Sequence, residues 1–178
     1  GDNAFKDAIA LRDEMCANNI TYFNPRQFSN IHNIHCHFDT TGQEIIRQTN
    51  IISAFIAGSG TGGTLMGVSG ALKSKNIKAK IVQVQPEESN ATHGIQGIND
   101  GEDFLLDKSI IDETIYIKTK DAIARAKRLA KENGLLVGIS AGANVLAAEQ
   151  WVGENNPEHP VVTILCDRGE RYFSCYED

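Results

Sequence analysis

The most constraining stretch of this 178-residue sequence is a short apolar run that breaks into glycine and then resumes as a helix. Residues 51–57 (Ile-Ile-Ser-Ala-Phe-Ile-Ala) have the length and composition of a buried strand. Gly58, Ser59, Gly60, Thr61, Gly62, Gly63 and Thr64 follow, and then a segment that places Leu65, Val68 and Leu72 on one helical face. A second apolar run, Ile81-Val82-Gln83-Val84, stops at Pro86. Two strands joined by a helix of this length form a right-handed crossover in a parallel sheet.

Such a strand–glycine–helix unit is suited to an anion. Glycines let the backbone approach closely, the first helical N–H groups lack partners, and the helix dipole favours negative charge. Thr61 and Thr64 add hydroxyl donors. A Walker loop is excluded because no Gly-Lys-Ser/Thr follows. Gly58, Gly60 and Gly63 do satisfy the dinucleotide pattern G-x-G-x-x-G, and Glu87 follows the next strand. From the loop alone, a nucleotide, another phosphate and a packing turn all stay open.

The flanking segments alternate in the same manner. Residues 7–17 read as a helix, Tyr22 and Phe23 as a short strand stopped by Pro25, and residues 29–42 as a polar Asn/His-rich loop. Thr41 is expected to cap a helix that runs through Ile45 and Ile46. Ile115-Tyr116-Ile117 is strand-like, and Thr119 is expected to cap a helix ending at Gly134. Residues 135–139 are apolar, Ser140-Ala141-Gly142 opens an Ala-rich helix reaching about Trp151, and residues 161–165 read as the last buried strand. This alternation predicts an α/β fold with a mostly parallel twisted sheet flanked by helices.

Charge and cysteine usage narrow the partners. With 17 Lys and Arg against 23 Asp and Glu, the net charge of -6 argues against a nucleic-acid surface. No apolar run reaches the ~20 residues that span a bilayer, so a soluble protein is expected, with no membrane partner. Cys16, Cys36, Cys166 and Cys175 form no C-x-x-C pair, which suits reduced thiols in a cytoplasm. His32, His35, Cys36 and His37 cluster, but consecutive side chains cannot all point one way, and only the distant His93 and His159 remain. A polar loop is the expected reading there, with no metal.

Six ordered segments then carry a resemblance. They are Arg26-Gln27-Phe28-Ser29-Asn30; Thr40-Thr41-Gly42-Gln43-Glu44-Ile45; residues 58–64; Gly94-Ile95-Gln96-Gly97-Ile98; Gly138-Ile139-Ser140-Ala141-Gly142; and Asp167-Arg168-Gly169-Glu170-Arg171-Tyr172. Together they resemble the pyridoxal-phosphate (PLP) dependent cysteine synthase (O-acetylserine sulfhydrylase) family, with cystathionine β-synthase as a close cousin, over essentially the whole chain. Cys166-Asp167-Arg168-Gly169 is similar to the B-type enzymes and Ile95-Gln96-Gly97-Ile98 to the A-type, which leaves the sulfur donor open.

The resemblance implies PLP fold type II, as in the tryptophan synthase β subunit. It implies that Gly60, Thr61, Gly62, Gly63 and Thr64 cradle the PLP phosphate and that Ser140 hydrogen-bonds the pyridine nitrogen. Gln27 would line the substrate carboxylate site, and Gly97 would face the substrate. A neutral hydroxyl at Ser140 would make the ring a weaker electron sink than a carboxylate would, which suits elimination of a good β-leaving group. Read without the resemblance, Ser140 is a helix cap.

The family's Schiff-base lysine segment and the Ser/Thr-Gly-Asn loop after it do not occur in this sequence. Lys6, in Phe5-Lys6-Asp7, stands too close ahead of Gln27 to be that lysine. Residues 1–36 are therefore expected to be the tail of a small N-terminal domain and residues 37–178 a large PLP-binding α/β domain, with no catalytic residue in this chain. The implied activity is β-replacement, making L-cysteine from O-acetylserine or a similar activated serine and sulfide or another thiol. The implied partner is the missing N-terminal half, in a cytoplasmic homodimer when complete. The competing readings are a non-catalytic PLP-binding or regulatory remnant of the family, and a dinucleotide-dependent oxidoreductase.

Overall fold

Backbone order in the glycine-bracketed half follows its local pattern. The computed structural model describes residues 4–88 and 105–176, the side chains of residues 4–6 excepted. The chain begins with α1 (Ala4–Asn18), then α2 (His32–His37), a π-helical turn over Phe38–Gly42, and α3 (Gln43–Thr49). The crossover unit is β1 (Ala54–Gly58), α4 (Gly63–Ser74) and β2 (Lys80–Pro86). After it come β3 (Glu113–Ile117), α5 (Thr119–Asn133), α6 (Ile139–Asn155), β4 (Val161–Thr163) and a closing turn α7 (Phe173–Tyr176).

The four strands form one sheet in the order β3-β2-β1-β4, and each pair is parallel. Residues of opposite parity along β1 face opposite layers, as strand geometry requires. Ala54 and Ile56 pack with Val82, Val84, Ile139 and Trp151 beneath α6, whereas Phe55 and Ala57 pack with Leu65, Val68 and Leu72 of α4. The expected α/β architecture, with a parallel sheet between helices, is thus observed.

Several local expectations fail for identifiable reasons. Residues 32–49 are one continuous helical run instead of a loop followed by a capped helix. Thr41 lies inside that run, so it caps nothing. Asn and His are weak helix formers, and here packing overrides propensity. A Cβ at Gly67 of α4 would stand 2.5 Å from the Cβ of His37 and 2.8 Å from Phe38 N, so the bare glycine face lets this run settle directly on α4. Tyr22 and Phe23 lie in irregular backbone, and Phe23 is 86% exposed; no strand forms where no neighbour offers a ladder.

Residues 135–139 likewise fail as a strand. Leu135 and Leu136 are exposed, and Val137 makes only an isolated antiparallel bridge to Arg168. The last strand is shorter than expected, and its three residues are half-buried because β4 sits at the sheet edge. Finally, Thr119 does not cap α5. Its N–H and hydroxyl donate to the carboxylate of Glu88 at 3.0–3.1 Å, so an acidic side chain from the end of β2 meets the positive end of the helix. Gly134 does end α5, in the left-handed conformation at φ 69°.

Candidate functional site

The glycine loop sits at the carboxyl end of β1, in the sheet's interior. Gly62 is the N-cap of α4 and holds φ 87°. That conformation favours glycine, and the space does too, since a Cβ there would stand 2.7 Å from Leu106 N. A glycine N-cap supplies no side-chain acceptor, and of the first-turn amides of α4, Gly63 N instead finds the Thr61 hydroxyl two residues before it.

The Thr61 hydroxyl beside these amides is arranged to donate. Thr61 Oγ1 accepts from Asn33 Nδ2 at 3.0 Å and from Gly63 N at 3.1 Å. Both lone pairs are then occupied, which leaves the Thr61 O–H to donate outward. Asn33 also donates to the Gln27 carbonyl at 2.8 Å, tying the turn that carries Gln27 to the loop. Gln27 itself is exposed. Thr64 Oγ1 meets His37 Nε2 at 3.2 Å, while His37 Nδ1 meets Thr41 Oγ1 at 3.0 Å.

Ser140 is the second residue of α6 and is half-buried. The N-cap of α6 is Gly138, with no side-chain cap bond, and the Ser140 hydroxyl has no hydrogen-bond partner among the described residues. It stands at the helix start without acting as its cap. Gly97, with the rest of residues 94–98, lies outside the described residues.

Beside Gly138, the N-cap of α6, lies the carboxylate of Asp167, to which the sequence reading assigned no role. Asp167 follows β4, and its carbonyl accepts from Gly138 N at 3.1 Å. Its Oδ2 accepts from the Tyr172 hydroxyl at 2.5 Å, which, with burial, pushes the phenol up to about 12. Its Oδ1 is buried and has no partner among the described residues. The thiol of Cys166 is pushed above its ordinary value by burial and by the charge of Asp167. The Thr61 hydroxyl thus donates at the glycine loop, and the buried Oδ1 of Asp167 stands beside Gly138 at the start of α6.

His37 was also missed, because a presumed loop hides the i, i+4 spacing that joins it to Thr41. Among the described residues no group of three or more His, Cys, Asp and Glu could hold a metal ion. His32 and His35 stack edge to face at 5.7 Å, while His37 turns to Thr41 and Thr64.

Burial lowers the His37 pKa below 6.5, so the folded state favours the neutral ring. Stability from the neutral ring is present above pH 6.5 and is lost as pH falls through the lower folded value. His37→Gln should therefore lose less melting temperature than the unaltered chain on acidification from pH 6.5 down to that lower value. Parallel melting curves across the series would show that His37 does not titrate in this setting.

Comparison with known proteins places this geometry. Residues 1–167 match the family described as "Pyridoxal-phosphate dependent enzyme". Cysteine synthase B of Campylobacter jejuni is 42% identical over 180 residues, covering 95% of this chain and 59% of that protein. An O-acetylserine sulfhydrylase from Entamoeba histolytica superposes with a TM-score of 0.82 at 36% identity, covering 94% of this chain and 53% of that one. A hydrogen sulfide-producing enzyme from Fusobacterium nucleatum gives 0.89 at 32% identity, covering 97% of this chain and 62% of that one.

The chain belongs to the PLP-dependent enzyme family, and its fold is the type II fold of the cysteine synthases. It spans about three-fifths of the length of the curated relatives it matches. The donor set at residues 60–64 and the free hydroxyl of Ser140 fit that family's cofactor. A phosphate would be held by the α4 amides with Thr61 and Thr64, and a ring nitrogen by Ser140.

Proposed function

We propose that this chain is the cofactor-cradling portion of a cysteine synthase-type enzyme, which forms L-cysteine from O-acetylserine or a similar activated serine and sulfide or another thiol. The observation that carries the reading is a pair of helix starts joined through Asn144, which bonds Gly58 N: the α4 terminus with Thr61 and Thr64, and the start of α6, where Ser140 has no hydrogen-bond partner among the described residues. When bound, PLP supplies the electron sink for cleavage at the β-carbon. Gly60, Thr61, Gly62, Gly63 and Thr64 hold its phosphate, and Ser140 donates to its ring nitrogen. Gln27, tethered to the loop through Asn33, lines the substrate carboxylate site, and Gly97 faces the substrate.

In this reading residues 1–36 close a smaller domain and residues 37–178 form the larger one, and the complete enzyme is a cytoplasmic homodimer. The four unpaired cysteines agree with a reducing compartment. The named relatives are enzymes, which favours a catalytic assembly over a non-catalytic remnant.

Titration of the chain with PLP tests the proposal. Thr64→Ala removes one charge-assisted donor and should weaken PLP binding by about 1.5–3 kcal/mol without unfolding the protein. Unchanged affinity in both Thr61→Ala and Thr64→Ala would mean that the loop is a packing turn.

A further inference from the structure

The crevice owes its opening to a position that the sheet topology singles out. From β1 the chain moves to β2 and β3 on one side, and β4 returns on the other, so β1 and β4 flank the point where the strand order reverses. In open parallel sheets, ligands bind outside the carboxyl ends of the strands at such a point. Pairing between β1 and β4 stops at Ile56↔Thr163. Two residues later the glycine loop leaves β1, and β4 runs on into Cys166 and Asp167.

A buried carboxamide occupies the split. Asn144 of α6 is only 1% exposed. Its Oδ1 accepts from Gly58 N at 2.8 Å, and its Nδ2 donates to Ile164 O at 2.8 Å and to Cys166 Sγ at 3.3 Å. A carboxamide carries the donor and acceptor of a peptide group, so it can serve both strand ends where they no longer meet each other. On the same helix, Ser140 lies one turn earlier, on the face that Asn144 shares.

We propose that Asn144 is a positioning residue that sets the span between the glycine loop and Ser140, so that one ligand is held at both ends. The proposal rests on reading this crevice as the PLP site. Leucine at 144 would fill the volume but remove the acceptor of Gly58 N–H and the amide donor to Ile164 C=O, which would keep only the weak thiol contact of Cys166 at 3.8 Å. Aspartate would keep the acceptor for Gly58 and turn an oxygen toward the Ile164 carbonyl and the thiol, which disturbs only the β4 side.

Two probes separate span from loop integrity. Inorganic phosphate occupies the loop alone, whereas PLP reaches from the loop to Ser140. The unaltered chain should hold PLP roughly tenfold or more tightly than phosphate, as an added hydrogen bond and ring contact would give. Asn144→Asp should abolish most of that preference while leaving phosphate affinity nearly unchanged, with a lower apo melting temperature because a buried carboxylate oxygen then faces the Ile164 carbonyl. Asn144→Leu should abolish it too.

A variant that keeps the full preference overturns the proposal. So does a proportional loss of both probes, which would make Asn144 a brace of the loop alone, and so does failure of both variants to fold, which would make it a core residue only. If the unaltered chain binds phosphate but not PLP, the cofactor reading falls and this proposal falls with it.

Discussion

Incubated with PLP, O-acetylserine and sulfide, the 178-residue chain is expected to form no cysteine at a rate within three orders of magnitude of an ordinary enzyme turnover of ~10 per second. The family's chemistry needs a lysine that bonds covalently to the cofactor, and a lysine acts as a nucleophile only when its pKa is lowered by burial or a neighbouring cation. The family's lysine segment is not in this sequence. Lys80, fully exposed, shows the reverse condition, since its hydrogen bond and ion pair with Asp112 at 2.8 Å raise its pKa. Supplying, as a second polypeptide, the part of cysteine synthase B that the match leaves uncovered should restore turnover. Cysteine formation by the chain alone would overturn this expectation and direct attention to Lys6.

Gly142→Ala and Gly153→Ala should shift stability in opposite directions although both lie on α6. At Gly142 an added Cβ would overlap the Ala122 carbonyl of α5 and stand 2.9 Å from Ala126 N. Both are backbone atoms and cannot rotate away, so α5 and α6 must separate. Overpacking of this kind costs about 1–3 kcal/mol or more, which outweighs the ~1 kcal/mol that alanine gains over glycine in a helix. At Gly153 nothing lies within 4 Å of the added atom, so only the propensity gain remains. Near the helix end that gain should be about 0.4–1 kcal/mol. Denaturant melts of the two variants decide the matter. A stabilised Gly142→Ala would mean that the α5–α6 contact is looser than described.

The legible part of this protein was the part whose signal is local. β1, the glycine loop, α4 and β2 were readable because apolar runs, glycines and a helical face follow one another within a few residues, and each element's partner is its chain neighbour. The glycine turn and helix start, on which the proposed phosphate site rests, were readable for the same reason: glycine conformations and helix-end amides are properties of adjacent residues. Ser140 was readable only through the resemblance, since any serine at a helix start looks like a cap, and only the structure shows the cap position filled by Gly138.

What tertiary structure decided lies where distant segments meet. Residues 32–42 are helical because the glycine face of α4 receives His37 and Phe38, a contact that no propensity scale contains. Tyr22 and Phe23 have strand composition but no neighbouring strand, and residues 135–139 find one bridge instead of a ladder. The roles of His37 and Asn144 follow from the same cause. Each is a common polar residue in its own stretch, and each gains meaning only from groups 27 and 86 residues away. Local sequence therefore determined that a parallel α/β unit would carry a glycine turn between β1 and α4. Long-range packing decided which side chains meet that turn, because hydrogen-bond partners and close approaches are set only when the layers come together.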